Sequence, residues 1–266
     1  METIVEIKKD PPKEMAESNW SAKTGYELVA EDIRTQYSLF RWSRLLKSWF
    51  NYIPIFERGV RKDIVALERV NVVDCVCHGQ EDASEKQFYM YMCHFSQLYV
   101  RLSFDDFTVG VLRLLNIALT QLHSNSWAYR QAFRVLCQCL YLQPSPQSFL
   151  YFYDTRPKSP KTWLSLISQS GISTLDAFTQ SFKHFKDGFF KVVMKEPGRS
   201  YFYTNDGDTK FLFSWTDNLW HYKDMKREKL SLADREMVDT LMKFNDKMPT
   251  KGLVRIYNSI HLIVDI

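Results

Sequence analysis

The chain has 266 residues and a formal net charge of +4, and its 45% apolar and 25% charged residues are typical of a soluble globular protein. It contains 19 Phe, 14 Tyr and 7 Trp but only 9 Gly. The two nearest glycines, Gly198 and Gly207, lie nine positions apart. This spacing excludes the glycine-rich dinucleotide fingerprint and the phosphate loop of nucleoside triphosphatases.

The first 19 residues predict a disordered, solvated tail. They mix acidic residues with lysines around Pro11 and Pro12, and they lack the apolar core of a secretory signal. The longest uncharged apolar runs are far shorter than the ~20 residues of a membrane span. The five cysteines, an odd number, favour reduced and mostly buried thiols. We therefore expect an intracellular protein, in the cytoplasm or nucleus, that is neither secreted nor embedded in a membrane.

Residues 20–142 are predicted to be mainly helical, because apolar side chains recur there at spacings of three and four. The sequence Ser-Phe-Asp-Asp at residues 103–106 is typical of a capping box, which opens a helix. The predicted helices are Ser38–Tyr52, one that the capping box opens and that ends at Leu119, and one that begins at Asn125 or Ser126 and ends at Leu140.

Residues 149–220 predict a small antiparallel sheet, because short aromatic runs alternate there with turn signals. The clearest hairpin turn is Asn205–Asp208, which contains an Asp-Gly pair. The predicted strands are Trp163–Ile167, Phe189–Met194, Tyr201–Tyr203 and Phe211–Trp215.

Residues 221–266 predict a helix capped at Ser231 and ending near Phe244, followed by an apolar terminus. The apolar segment Ile256–Ile266 either docks as a final strand or is the stump of a longer reading frame. The whole chain thus predicts an α+β fold with a helical N-terminal half, a small antiparallel sheet and a C-terminal helix. We expect a tail over 1–19, one domain over 20–220, and a C-terminal helix and tail over 221–266.

A zinc site is the first chemical interpretation of the cysteines and histidines. Zinc ligands usually come in pairs separated by two to four residues, so that both reach one tetrahedral ion. None of the cysteine pairs in this chain has that spacing, and buried thiols explain the pattern better. We therefore expect no metal. The residues concerned are Cys75, Cys77, His78, Cys93, His94, Cys137 and Cys139.

The common catalytic motifs are missing from the sequence, including the GxSxG elbow, HExxH and the aspartic protease triplet. Asp105 and Asp106 resemble the paired aspartates of a polymerase, but Ser103 and Phe104 do not fit the residues that precede that pair. Helix capping explains them with fewer assumptions. We expect a non-enzymatic protein with no catalytic residue, no cofactor and no small-molecule substrate.

Basic residues concentrate between Arg34 and Lys62, where seven of them stand against one acid, Glu57. Seven aromatic residues from Tyr37 to Phe56 are interleaved with them, as on a surface that binds phosphates and stacks bases. An amphipathic helix with a basic outer face explains the same pattern, since the tryptophans fall on its apolar side. The candidate nucleic-acid-binding residues are Arg34, Arg41, Arg44, Lys47, Arg58, Arg61 and Lys62.

A series of short sequence blocks resembles a known family more closely than any single residue does. The blocks run FYMY at 88–91, LNIALTQLHSNSWAY at 115–129, AFRVLC at 132–137, WLSL at 163–166 and SFKHFKDGFFKV at 181–192. In composition and order they resemble the plant gypsy-type transposon domain family, with its FFYMY, LNVAPSQLHPNSWAF, AFEILC and SFKGFKDRFFRV blocks. The resemblance covers roughly residues 73–220.

This resemblance implies a protein derived from a plant retrotransposon, from the gag-like structural part of the element. Such a protein is expected to be an assembly or interaction module that self-associates, and the family supplies no catalytic residues to carry over. The chain departs from the family at Leu119 and Ser124, where proline is usual. The alternative function is a nucleic-acid-binding accessory domain that uses the basic face of residues 34–62.

Overall fold

The computed structural model describes residues 63–68, 70, 76, 87–157, 163–178, 188–244 and 246–263. The helix predicted over Ser38–Tyr52 lies outside these residues. The described strands are β1 (Val65–Glu68), β2 (Gln87–Tyr91), β3 (Tyr153–Pro157), β4 (Leu164–Ser168) and β5 (Phe189–Met194). The described α-helices are α1 (Met92–Ser96), α2 (Asp106–Leu115), α3 (Ser124–Cys139), α4 (Pro146–Tyr151), α5 (Arg199–Phe202), α6 (Leu232–Leu241) and α7 (Thr250–Ile263).

Strand β5 lies at the centre of a three-stranded antiparallel sheet with the order β1-β5-β2. Its Val192 pairs with Leu67 of β1 and with Phe88 of β2. All residues of β5 except the last are buried, because the sheet is covered on both faces, and the strand therefore lacks polar alternation. Strands β1 and β2 come from residues 20–142, which were predicted to be mainly helical, whereas β5 comes from residues 149–220, which were predicted to form the sheet.

A second, two-stranded antiparallel sheet pairs β3 with β4, from Tyr153 opposite Ser168 to Pro157 opposite Leu164. The short helix α4 comes directly before β3, and it was not predicted. Ser145 caps α4 by accepting a hydrogen bond from the Ser148 amide at 3.0 Å, and Pro146 occupies the first helical position. Proline is favoured there because an N–H at the first helical position has no partner within the helix, so its absence costs nothing.

Helix α2 begins two residues later than the capping box suggested. Its N-cap is Asp105, whose Oδ1 accepts a hydrogen bond from the Thr108 amide at 2.8 Å. Ser103 has a positive φ of 66° and lies outside the helix. The helix ends at Leu115, earlier than predicted, because Asn116 adopts the left-handed conformation that closes many helices.

Helix α3 is the most deeply buried long helix of the described residues. His123 caps it, with Nδ1 accepting a hydrogen bond from the Asn125 amide at 3.2 Å, so that the helix begins slightly earlier than predicted. Trp127, Ala132 and Phe133 are fully buried. The helix packs against α7 and against β4, and it is apolar on more than one side for this reason.

Two predicted strands are wrong, and the C-terminal segment does not dock as a strand, which was one of its two interpretations. Tyr201–Tyr203 lies mostly in the short helix α5, and Phe211–Trp215 forms no strand. Its aromatic side chains are buried by packing rather than by pairing: Trp215 Nε1, for example, donates to the Thr120 hydroxyl at 2.7 Å. The C-terminal segment forms α7, which packs on α3, and an apolar face suits that role as well as a strand.

Aromatic rings fill the space beside β2. The Phe88 ring lies 5.4 to 6.2 Å, between ring centroids, from four other phenylalanine rings, those of Phe104, Phe202, Phe211 and Phe213. Such tilted and edge-on pairs stabilise a core beyond the area they bury. The fold is α+β, as predicted, with helices and two small antiparallel sheets around this aromatic core. Within the described ranges, every helix is too short or too polar to cross a lipid bilayer.

Candidate functional site

The sequence-predicted nucleic-acid-binding residues all precede the described part of the chain. Arg34, Arg41, Arg44, Lys47, Arg58, Arg61 and Lys62 lie outside the described residues. The interpretation of this basic stretch therefore still rests on its composition.

The cysteines that the structure describes are mostly buried, as expected. Cys93 and Cys137 lie in the core, and burial raises the pKa of each thiol to about 12. Cys139, at the end of α3, differs from these two cysteines because it is exposed. Among the described residues, no three Cys, His, Asp or Glu side chains come together as metal ligands. Cys75, Cys77 and His78 lie outside these residues.

A small polar pocket lies where the N-terminus of α2, the middle of α3 and the helix α7 meet. It encloses a cavity of about 10 Å³, on the scale of one water molecule. Three arginines and one aspartate dominate its lining. The lining residues are Val100, Arg101, Phe104, Asp105, Thr108, Arg130, Arg134 and Tyr257.

Asp105 is the centre of the hydrogen bonds in this pocket. Its Oδ2 accepts from Arg134 Nη1 at 2.7 Å, and its Oδ1 lies 3.7 Å from Arg130 Nη1. The Thr108 hydroxyl donates to Asp105 Oδ1 and accepts from Arg130 Nη1. Thr108 thereby links the buried arginine to the carboxylate, while Asp105 also caps α2.

The electrostatics of the pocket keep Asp105 ionised. Burial by itself raises the pKa of the Asp105 carboxyl, but Arg130, Arg134 and the Thr108 hydrogen bonds outweigh burial and hold this pKa below its usual value. The Asp105 side chain is 30% exposed and that of Arg134 23%, whereas only 3% of Arg130 is exposed. The pocket thus opens to solvent at Asp105 and Arg134 and ends at Arg130.

Aromatic rings hold the two arginines of α3 in place. The Arg130 guanidinium lies 5.6 Å from the centre of the Trp127 ring, and that of Arg134 lies 6.0 Å from the Tyr257 ring on α7. Both distances fall in the range of cation–π attraction. This arrangement suits anion binding, because arginine forks are pre-organised for oxyanions and cannot lose their charge at physiological pH.

Sequence reasoning missed this pocket, although it placed the cap near Asp105. One local signal was present, since Arg130 and Arg134 are four residues apart and share one face of a predicted helix. The other partners come from distant parts of the chain, and Tyr257 lies in an apolar terminus that was not predicted to be a helix. Asp106, the second member of the supposed aspartate pair, is exposed and lies away from the pocket lining.

A second polar cluster is structural and lies at residues 121–127, here called the QLHSNSW joint. Gln121 Nε2 donates to the Thr216 carbonyl at 2.7 Å, and Gln121 Oε1 accepts from the Thr216 amide at 2.9 Å. Ser126 Oγ accepts from the Leu166 amide of β4 at 2.9 Å. The joint therefore ties the start of α3 to two segments that follow it in sequence.

No protein-family model, no curated protein and no solved structure matches the chain.

Proposed function

We propose that this chain is a non-enzymatic protein derived from a plant gypsy-type retrotransposon and that it acts as an assembly or interaction module. The proposal is supported by the way in which the blocks of the family resemblance pack together. FYMY lies in β2 and the block at residues 163–166 supplies most of β4. The QLHSNSW joint, which includes the first turn of α3, bonds to β4 through Ser126, and the 3₁₀ turn at its start contacts β2. Residues of these blocks therefore lie in one core and are not scattered over the structure.

The two departures from the family blocks are compatible with the same geometry. Leu119 and Ser124 each occupy the first position of a helical turn, the 3₁₀ turn Leu119–Gln121 and the helix α3. Proline is favoured at this position because the N–H it lacks has no partner within the helix. A chain with proline at either place can therefore keep this backbone, and the loss of both prolines does not require a different fold.

Two exposed aromatic side chains favour an interaction role. Tyr141 is 98% exposed and Trp220 is 63% exposed. Aromatic residues are enriched in protein interfaces and carry much of the binding energy there. Tyr141 also has a φ of 55°, which is unusual for a residue with a bulky side chain. These two residues are the first positions to test for self-association.

The test is the mass of the full chain in solution, measured by size-exclusion chromatography with light scattering across a wide range of protein concentration. We expect the average mass to rise with concentration, and Tyr141→Ser or Trp220→Ser to reduce that rise. Gln138→Ser, at an exposed polar position on α3, is the matched control and should behave as the parent chain does. A monomer at every concentration would contradict self-association as the mode of action.

The alternative function, a nucleic-acid-binding accessory domain, is supported by the charge of the stretch from Arg34 to Lys62. This stretch carries seven basic residues and one acid, although the whole chain has a net charge of only +4. Such a local excess of basic residues is typical of a surface that binds phosphates.

This alternative is tested by fluorescence anisotropy with single-stranded and duplex nucleic acids at two salt concentrations. Binding through this surface should weaken steeply with salt, because cations are released when phosphates are neutralised. The combined replacement of Arg41, Arg44 and Lys47 by Glu should abolish it. Weak binding that is unaffected by these replacements would exclude the basic stretch as the binding surface.

A further inference from the structure

Arg130 is a buried cation whose charge is only partly compensated within the described residues. Its side chain is almost fully buried, yet Arg134 has the closer contact with the shared carboxylate, at 2.7 Å against 3.7 Å for Arg130. Arg130 Nη1 donates to Thr108, but its Nε has no hydrogen-bond partner among these residues. A buried charge without full compensation is costly, so this position favours a further anionic partner.

The pocket has both the charge and the opening that such a partner needs. Three arginines and one aspartate line it, so positively charged side chains outnumber negatively charged ones. The cavity of about 10 Å³ admits one oxygen atom, and the partly exposed side chains of Asp105 and Arg134 mark its mouth. A ligand that inserts one oxygen and keeps its other atoms at the mouth fits this shape.

From this geometry we propose that the pocket between α2, α3 and α7 binds a phosphate group. One phosphate oxygen occupies the cavity and accepts from Arg130, and Arg134 at the mouth contacts the remaining oxygens. After one phosphate oxygen has entered the cavity, at least two others remain for Arg134 at the mouth, whereas a carboxylate has only one left. Guanidinium groups bind phosphate oxygens with two parallel, charge-assisted hydrogen bonds, which hold the group in a defined orientation.

The phosphate is either free or part of a small phosphate monoester, and both sources present the same oxygens to the arginines. Isothermal titration calorimetry of the full chain with inorganic phosphate and with glycerol 3-phosphate, at constant ionic strength, separates them. Similar affinities identify free phosphate as sufficient, and tighter binding of the monoester identifies a site that also contacts the ester group. Neither ligand binding to the parent chain would overturn the proposal.

Variants of partly exposed residues test whether the binding is at this pocket. Arg134→Gln should weaken phosphate binding by about tenfold or more, the scale of one lost charge-assisted hydrogen bond. Arg113→Gln, at an exposed position of α2, is the matched control and should leave the affinity unchanged. Equal affinity in Arg134→Gln and the parent chain would place the phosphate elsewhere and overturn the proposal. If Arg134→Gln does not fold, Arg134→Lys replaces it and should also weaken binding, because lysine lacks the fork.

Asp105→Asn supplies a test with the opposite sign. Asparagine still caps a helix, so α2 keeps its N-terminus, but the carboxylate that competes for the arginines is gone. We expect phosphate to bind more tightly to this variant than to the parent chain. A purely structural network predicts no tightening, and unchanged or weaker binding would overturn the proposal. Circular dichroism establishes that each variant is folded before its affinity is compared.

Discussion

His94 should make the protein sensitive to mild acid. Its side chain is fully buried in α1, and neither Nδ1 nor Nε2 has a hydrogen-bond partner among the described residues. Its ring lies 5.5 Å, between centroids, from the rings of Tyr91 and Trp127. Burial lowers the pKa of His94 from 6.5 to about 3, because no partner stabilises the imidazolium.

The sign and size of the effect follow from proton linkage. The unfolded state binds a proton at His94 as the pH falls through 6.5, whereas the folded state does not until the pH nears 3. The free energy of unfolding therefore decreases between these pH values and is unaffected above 6.5. Each pH unit well below 6.5 is worth about 1.4 kcal/mol, so the protein should lose about 2 kcal/mol between pH 6.5 and about pH 4.5.

The assay compares the parent chain with His94→Phe by urea unfolding at several pH values in this window. Phenylalanine keeps an aromatic ring in the site and removes the titrating group, although its extra volume costs about 1–3 kcal/mol at every pH. The free energy of unfolding of His94→Phe should therefore start lower but fall less steeply with acid. Asp105 titrates mainly below this window, because its pKa is lowered, and it contributes equally to both chains.

His221→Phe is the matched control, since His221 is exposed. Its unfolding free energy should follow the pH dependence of the parent chain. The prediction concerns slopes, so a general loss of stability in His94→Phe does not affect it. Parallel pH profiles for the parent chain and His94→Phe would refute the reasoning, because they would mean that His94 is protonated or hydrogen-bonded in the native state.

Three further substitutions should change the free energy of unfolding, measured by urea titration. Gly198→Ala should lower the free energy of unfolding by about 1–3 kcal/mol, because the alanine Cβ would lie 2.1 Å from the Ile64 carbonyl oxygen. An unchanged free energy of unfolding would mean that the backbone shifts at no cost and would contradict this prediction. Tyr141→Gly should stabilise the fold by about 0.5–1 kcal/mol, because glycine relieves the positive φ and the tyrosine is exposed; lower stability would disprove strain there. Gln121→Ala should cost about 2–4 kcal/mol, because it leaves the amide and carbonyl of Thr216 without their hydrogen bonds to Gln121. The exposed control Gln138→Ala should cost little, and equal costs for the two variants would contradict a stabilising role of the QLHSNSW joint.

Elements with strong local signals were predicted well. β5 occupies Phe189–Met194 as expected, because it is a continuous apolar run bounded by turn residues. The capping box of α6 is present as predicted, with Ser231 Oγ accepting from the Asp234 amide at 3.1 Å. These signals act over a few residues, so the surrounding fold does not need to be known.

Aromatic runs without such signals were misassigned. Tyr201–Tyr203 and Phe211–Trp215 are rich in residues that favour strands, but within the described residues they make only isolated bridges, Tyr203 with Thr209 and Leu212 with Ala118. They are buried instead by contact with β2 and with the 3₁₀ turn at Leu119–Gln121, which lies far away in sequence. Strand propensity in part reflects such burial, and burial does not require hydrogen bonding to another strand.

Sequence by itself determined the α+β class, the aromatic core and the cap of α6 at Ser231, because composition and short-range patterns control these properties. Only the tertiary structure decided that the C-terminal segment is a helix and that Arg101, Asp105, Arg130, Arg134 and Tyr257 share one pocket. Helices α3 and α7 have to pack together before Tyr257 reaches Arg134. A site made from segments more than a hundred residues apart has no local pattern, since its charges meet only through the packing of the helices that carry them.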